Sequence, residues 1–217
     1  MVYSDTPPFV WYVSYGSNMG RERFMCYIRG GTAPGSQYVN PGCSDATEPR
    51  GDVALSLSHG LYFAGASQMW TGGVAFIRPT PDGQNTLARA YLITWQQFEE
   101  IVAQESCRAH APIRFATLRA AGYCDVGHDM YDRLVYCSDR QGYPMVSFTT
   151  PRTYASYTAP VLPYVQRVAA GLMEAHGLSP RAAAAYLASV PGIRGAHGQR
   201  RLEALLQKQT APASDAV

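Results

Sequence analysis

The N-terminal two thirds of the chain alternates short apolar runs with turn-forming residues, a pattern typical of strands. Phe9–Ser14 (FVWYVS) is rich in aromatic and β-branched residues, which predicts a buried strand. Further strands are predicted over 53–57, 60–64, 73–77, Thr86–Thr94, 114–118, 131–136 and 144–149. The segment 80–84 (TPDGQ) predicts a turn between the strands predicted over 73–77 and Thr86–Thr94.

Helical spacing of apolar residues marks a few central segments and most of the C-terminal third. Helices are predicted over 20–28, Trp95–Glu105, 161–173, a segment that begins at Pro180, and 197–207. Gly177 is expected to end the third of these helices, and Ser179 to cap the fourth, since Pro180 suits a first helical turn.

These elements predict an α+β fold, with a mixed sheet curled toward a small barrel and helices outside it. Glycine and proline crowd the stretch 30–52, which predicts a long irregular loop. The sequence contains no repeat and no linker between two cores, so one domain over 1–209 is expected. The polar, small-residue segment 210–217 is predicted to be a flexible tail.

Composition narrows the classes of protein to consider. The 217 residues are 47% hydrophobic and 16% charged, which indicates a globular chain. Because 18 Lys+Arg face 16 Asp+Glu, no nucleic-acid partner is expected. No apolar run approaches the ~20 residues of a membrane span, so no membrane association is expected. Five cysteines without close spacing argue against a disulfide framework and favour the cytoplasm.

The junction after the first strand, Tyr15-Gly16-Ser17-Asn18, is a candidate ligand-binding loop. Gly16 and Asn18 both tolerate left-handed backbone, which predicts a tight turn. Glycine lets a ligand approach the backbone, and successive N–H groups there can hold an anion or a developing oxyanion. From the spacing alone, an ordinary tight turn is the favoured interpretation.

Glu105 is a candidate acid–base residue. At about 100° per residue it projects into the apolar stripe of its helix, whereas Glu99 and Glu100 project away from it. A carboxyl group in apolar surroundings resists ionisation and suits general acid–base work near neutral pH. The alternative is that Glu105 lies past the helix end or pairs with Arg108, and the residues alone leave both interpretations open.

Two other groups of residues carry weaker signals. The first, chemically plausible as zinc ligands, consists of Cys107, His110, Cys124 and His128. Their spacing matches no common finger, so no metal site is expected. The second is the run of tyrosines Tyr154, Tyr157 and Tyr164, which are more often packing residues although one hydroxyl could line a pocket. The chain lacks the lysine of a phosphate-binding loop, so the glycines near Gly16 are not expected to form a nucleotide cradle, and it lacks a nucleophile elbow.

Four stretches, in order, resemble the γ-glutamylcyclotransferase family. WYVSYGSNM resembles the family's YGSN loop, and MWTGGVAFI resembles its inner-strand glycine pair, here Gly72 and Gly73. ARAYLITWQQFEEIVAQES resembles the strand and helix that end in the catalytic glutamate, here Glu105. YVQRVAAGLMEAHGLSPRAAAAYL is similar to the C-terminal helices of the family.

The resemblance implies a small mixed barrel with flanking helices and a cofactor-independent enzyme. Its reaction would release 5-oxoproline and a free amine or amino acid from a small γ-glutamyl compound, with Glu105 as general acid and base. The implied substrate-binding residues are Tyr15, Gly16, Ser17, Asn18, Met19, Gly72, Gly73, Tyr154 and Tyr157. The alternatives are a relative that binds a small ligand without chemistry and a zinc-dependent hydrolase.

Overall fold

A computed structural model of the chain describes residues 6–33, 36, 38–66, 71–106, 111–127 and 130–210. The strands are β1 Phe9–Ser14, β2 Gly31–Thr32, β3 Val39–Asn40, β4 Gly51–Leu57, β5 Leu61–Ala64, β6 Val74–Ile77, β7 Thr86–Thr94, β8 Tyr123–Asp125, β9 Arg133–Arg140 and β10 Tyr143–Thr149. The helices are α1 Arg21–Arg29, α2 Trp95–Glu105, α3 Phe115–Ala121, α4 Leu162–His176, α5 Pro180–Ser189 and α6 Gln199–Thr210, with a 3₁₀ turn at Ser17–Met19.

A six-stranded mixed sheet, in the order β4-β7-β1-β10-β9-β8, forms the centre of the molecule. β1 runs parallel to β10 and antiparallel to β7. β5 and β6 pair only with each other, so the turn over 80–84 connects strands of different sheets. The predicted α+β class is confirmed. Within the described strands, however, the sheet is open, with β4 and β8 at its edges, rather than closed into a barrel.

The two faces of the sheet bury two apolar layers. Side chains alternate along β1, so Trp11 and Val13 join one layer and Val10 and Tyr12 join the other. Helices α4, α5 and α6 cover the first layer, and α1, α2 and α3 contribute to the second. β1 is therefore buried on both faces, and its C-terminal end leads into the middle of the molecule.

The helix predictions agree closely with the structure. Thr94 caps α2, with Gln97 completing a reciprocal capping box, and Ser179 caps α5 by accepting from Ala182 N. Gly177 ends α4 in the left-handed conformation at φ 64°. Of the helices in the described part of the chain, none combines the length and apolar character that crossing a membrane requires.

Three predictions of local structure were wrong. The strand predicted over 114–118 belongs to α3, where Leu118 alone is buried and Gly122 ends the helix with positive φ. The long loop over 30–52 contains the short strands β2 and β3. Thr210, assigned to the tail, is the last residue of α6, and 211–217 lie outside the described residues.

Candidate functional site

A cavity of about 740 Å³ lies at the C-terminal end of β1. The loop Tyr15–Asn18 forms part of its wall, and Glu105, at the end of α2, forms another part. The two features that the sequence singled out independently therefore face the same space. Residues from α1, β6, β10 and α4 complete the wall.

The loop adopts a 3₁₀ turn over Ser17–Met19. Met19 N donates to Gly16 O at 3.1 Å, and Gly20 N donates to Ser17 O at 3.3 Å. The predicted tight turn is therefore present, and it forms without left-handed backbone, because Gly16 has φ −114° and Asn18 is not among the described residues with positive φ. A 3₁₀ turn reverses the chain without it. The first turn of a helix leaves its leading N–H groups, here those of Ser17 and Asn18, without a helical acceptor.

Two side chains of β7 hold the loop from the side of the sheet. Tyr91 Oη lies 3.1 Å from Asn18 O and 2.9 Å from Met19 O, and its hydroxyl donates to these carbonyls. Arg89 Nη1 donates to Met19 O at 3.0 Å, and Nη2 of the same guanidinium pairs with Asp52. The loop carbonyls thus have buried donors, which fix the conformation of the turn.

Helix α4 packs tightly against the other side of this loop. A Cβ atom placed on Gly171 would lie 2.7 Å from Met19 Cβ and 2.8 Å from Gly20 N. Any larger residue at 171 would force the helix and the loop apart. The predicted binding residue Met19 is fully buried in this contact and does not belong to the cavity wall as described.

Glu105 is half-buried and hydrogen-bonded to the loop. Asn18 Nδ2 donates to Glu105 Oε1 at 2.9 Å and to Tyr12 Oη at 3.2 Å. Asn18 Oδ1 is buried and has no hydrogen-bond partner among the described residues. The Glu105 carboxylate, on the cavity wall, is the acceptor that this side of the site presents to the cavity. Arg108, the alternative partner of Glu105, lies outside the described residues.

Tyrosine hydroxyls surround the carboxylate. Burial raises the pKa of Tyr12, Tyr27 and Tyr131, and the charge of Glu105 raises each further. Burial also raises the pKa of Tyr164 to about 12. All four are therefore neutral hydroxyls near pH 7, able to donate and accept hydrogen bonds but not to act as bases.

Arg23, which the sequence analysis missed, also lines the cavity. Its side chain lies on the inner face of α1, its residue is only 9% exposed, and its Nη2 donates to Tyr27 Oη at 3.3 Å. The signal was available, because Arg23 shares the helical stripe of Phe24, Tyr27 and Ile28. An arginine on the buried stripe of a helix indicates a site or an ion pair.

Comparison with known proteins defines the fold. A solved γ-glutamyl cyclotransferase matches with a TM-score of 0.50 at 18% identity, over 92% of this chain and 99% of that chain. An uncharacterized protein from Homo sapiens matches with a TM-score of 0.50 at 17% identity, over 93% of this chain and 99% of that chain. The chain has the γ-glutamyl cyclotransferase-like fold.

Comparisons by sequence give less information about this chain than the comparison of structures. No protein-family model matches the chain. A curated relative, histone deacetylase 5 of Arabidopsis thaliana, is 40% identical over 100 residues, which is 45% of this chain. That stretch spans only 15% of the length of the relative, well under two thirds of it.

Within this γ-glutamyl cyclotransferase-like fold, the predicted glycine pair lies outside the described cavity wall. Gly73 N donates to Ala159 O at 3.0 Å, and a Cβ atom on Gly73 would lie 2.1 Å from Thr158 O. A Cβ atom on Gly72 would lie 3.0 Å from Ala159 O. Because both residues are glycine, the segment before α4 can pack against the start of β6. This packing holds the adjoining part of the cavity wall in place.

The predicted tyrosines also lie outside the described wall. The ring of Tyr154 stacks on Phe76 with centroids 5.6 Å apart, and Tyr157 is 49% exposed with its Oη accepting from Arg78 at 2.7 Å. The tyrosines that do line the cavity from this side are Tyr131 and Tyr164. Tyr131 Oη donates to the carbonyl of Ala75, and Tyr164 Oη accepts from its N–H.

The predicted zinc set falls largely outside the described structure. Cys107, His110 and His128 lie outside the described residues, and Cys124 lies on β8. Burial, with the charge of Asp125, raises the pKa of the Cys124 thiol to about 11. In the part of the chain that the structure covers, no three His, Cys, Asp or Glu side chains gather in a way that could hold a metal.

Proposed function

We propose that the chain is a γ-glutamyl cyclotransferase that converts a small γ-glutamyl compound into 5-oxoproline and a free amine. The observation that carries this proposal is the 2.9 Å contact between Asn18 Nδ2 and Glu105 Oε1 at the wall of one cavity. It joins a loop rich in backbone donors to a carboxylate. The shared fold supports the same reaction class.

The two walls match the two charges of a glutamyl group. The α-ammonium lies against the Glu105 carboxylate, which accepts its hydrogen bonds. The backbone N–H groups of Ser17 and Asn18 hold the glutamyl carboxylate or the γ-carbonyl oxygen. A substrate held at both ends is folded, which brings the α-nitrogen close to its own γ-carbon.

The reaction is an internal transfer of an acyl group. Glu105 removes a proton from the α-ammonium, and the resulting amine attacks the γ-carbonyl carbon to form a C–N bond. The tetrahedral oxyanion is stabilised by the loop donors. As it collapses, the original amide C–N bond breaks and Glu105 returns its proton to the departing nitrogen. The ring nitrogen gives up its second proton through Glu105 to the departing amine, which leaves as an ammonium ion. The steps are redox-neutral and consume no water, and the enzyme ends in its starting state.

The decisive experiment assays 5-oxoproline release from a panel of γ-glutamyl compounds. Glu105→Gln keeps the size and polarity of the side chain but cannot exchange a proton, so kcat should fall about 10²- to 10⁴-fold. The matched control is Glu100→Gln on the same helix, where the carboxylate accepts from Ser44 at the surface and activity should stay within about threefold.

Other outcomes have defined meanings. Near-normal turnover by Glu105→Gln on the best substrate would contradict the mechanism. Thermal stabilisation of the wild-type protein by γ-glutamyl compounds, with no product after long incubation, would instead support the non-catalytic binding relative. Stoichiometric zinc in the purified protein would support the hydrolase built on the cysteine and histidine set.

A further inference from the structure

Tyr12 carries a hydroxyl that the proposed mechanism does not use. The residue lies on the central strand β1, is 2% exposed and lines the cavity wall. Its ring stacks on Phe24 and on Phe148, with centroids 5.5 Å and 5.4 Å away, and Phe98 packs beside it at 6.3 Å. Close packing of this kind fixes the ring, so its hydroxyl has a defined position relative to the loop.

The hydroxyl of Tyr12 shares the amide nitrogen of Asn18 with Glu105. Asn18 Nδ2 lies 3.2 Å from Tyr12 Oη and 2.9 Å from Glu105 Oε1. A side-chain amide carries two N–H donors, so one of them can point to each oxygen. The other end of the amide, Oδ1, is buried and has no hydrogen-bond partner among the described residues. The orientation of this side chain therefore depends on the two oxygens that its nitrogen contacts.

Tyr12 keeps its role as an acceptor throughout the neutral pH range. Burial, followed by the charge of Glu105, raises the pKa of Tyr12 far above its usual value, whereas the hydrogen bond from Asn18 opposes that rise. The phenol therefore stays neutral. Asn18 is itself only 6% exposed, so an N–H group that lost the phenol oxygen would be left buried and unpaired. Leaving a buried donor unpaired is costly, which favours the observed arrangement.

The described contacts route the influence of Tyr12 on Glu105 through Asn18. Each of the two residues is hydrogen-bonded to the Asn18 amide, and among the described residues no hydrogen bond joins them directly. The other titratable or cationic side chains that face the carboxylate or line the described wall are Tyr27, Tyr131, Tyr164, Arg23 and Arg152. The three tyrosines are neutral near pH 7 and the arginines keep their charge, so none of them changes charge in this range.

We propose that Tyr12 is a positioning residue that acts on Glu105 through Asn18. Its hydroxyl holds the amide so that the second N–H group points at the carboxylate. That hydrogen bond favours the ionised carboxylate, which is the form that accepts a proton from the α-ammonium. The proposal rests on the proposed function and adds to it the residue that sets the orientation of its base.

The first test is Tyr12→Phe, which keeps the ring and its stacking and removes one oxygen atom. With the amide released, kcat for 5-oxoproline release should fall about 3- to 10-fold, whereas KM should change less than about twofold. The ionised carboxylate also loses part of its donor. The acidic limb of the pH profile of kcat/KM should therefore move to higher pH by about 0.5–1 pH unit.

Tyr186→Phe is the matched control. Its hydroxyl also accepts a hydrogen bond, from Leu87 N at 3.1 Å, but it lies outside the described cavity wall. We expect kcat, KM and the acidic limb to stay unchanged in this variant. Any fall in Tm that the two variants share then measures the loss of a partly or fully buried hydroxyl and not the positioning of Glu105.

A double variant separates action through Asn18 from an independent effect. If Tyr12 acts through the amide, adding Tyr12→Phe to Asn18→Ala should change kcat/KM less than about twofold relative to Asn18→Ala alone. Three results would overturn the proposal: losses that multiply in the double variant, an acidic limb that does not move in Tyr12→Phe, or an equal movement in Tyr186→Phe.

A carbon NMR titration of the Glu105 carboxyl group in isotope-labelled protein tests the proposal without turnover. The proposed function itself would fail if the wild-type protein released no 5-oxoproline from any γ-glutamyl compound, and the titration would then decide about Tyr12. A midpoint that moves to higher pH in Tyr12→Phe and in Asn18→Ala, and no further in the double variant, would support the positioning role. An unmoved midpoint in Tyr12→Phe would contradict it.

Discussion

The two walls of the cavity are built very differently. The loop is held from below by Tyr91 and Arg89, which donate to its carbonyls, and from the side by the close packing of α4. Glu105 is the last residue of α2, is half-buried, and accepts one hydrogen bond across the cavity, from Asn18. The loop is thus held in place by side chains of β7 and by helix α4, whereas the carboxylate lies at the C-terminal end of a helix.

This difference fits the roles proposed for the two walls. Donors that stabilise a developing oxyanion act best when they are fixed before the reaction, because they then need no reorganisation. A group that takes and returns a proton has to serve two nitrogens in turn, so some freedom of its side chain is useful. Ser106, which caps α2 through its N–H bond to Val102 O, ends the helix directly after Glu105.

Among the residues that hold the two walls in place, the largest effect is expected from removing the hydrogen bond between the walls. Asn18→Ala removes the amide that orients Glu105, and a hydrogen bond to a charged group contributes about 1.5–3 kcal/mol. We expect kcat/KM to fall about 10- to 100-fold. Asn40→Ala, at another buried asparagine, should lower Tm but leave kcat/KM nearly unchanged. Unchanged activity in Asn18→Ala would mean that the walls act independently.

The next effect is expected where α4 packs on the loop. Alanine normally stabilises a helix by about 1 kcal/mol relative to glycine. In Gly171→Ala the overlap with Met19 and Gly20 should reverse this, lowering Tm by about 2–6 °C and raising KM. Gly198→Ala, where nothing lies within 4 Å of the added methyl group, should leave both unchanged. A rise in Tm for Gly171→Ala would contradict the packing argument.

The smallest effect is expected beneath the loop. Tyr91→Phe keeps the ring but removes the donor to Asn18 O and Met19 O, which should reduce kcat/KM by about 2- to 10-fold. Tyr186→Phe is the matched control, because its hydroxyl accepts from Leu87 N on the same strand but outside the described cavity wall. A lower Tm without a change in kcat/KM for Tyr91→Phe would show that the hydrogen bonding of this hydroxyl contributes to stability alone.

Much of the fold was predictable because helix signals are local. The capping box at Thr94 and Gln97 and the glycine stop at Gly177 set helix ends within a few residues of chain. The prediction over 114–118 was wrong because a short segment with few buried side chains has no clear period, and in its helix Leu118 is the one residue classed as buried. The openness of the sheet depends on which strands pair, and that is not a local property.

The site was predictable in part for the same reason. The loop at Tyr15–Asn18 and the position of Glu105 follow from the end of a strand and the phase of a helix. The same local signals did not predict which tyrosines line the cavity. Tyr131 and Tyr164 reach the cavity and Tyr154 and Tyr157 do not, although nothing in their sequence surroundings distinguishes them. The packing of β6 against the segment before α4 makes that choice.

The sequence by itself determined most of the helices and strands and the turn after β1, and it made an inward Glu105 one of two interpretations, because each depends on neighbours within one or two turns of chain. Only the tertiary structure decided that Asn18 bonds to Glu105 across 87 positions, and that Arg23 lies buried without a described carboxylate partner. Such contacts depend on strand order and helix packing, which bring distant segments together through space. No short stretch of chain encodes that geometry.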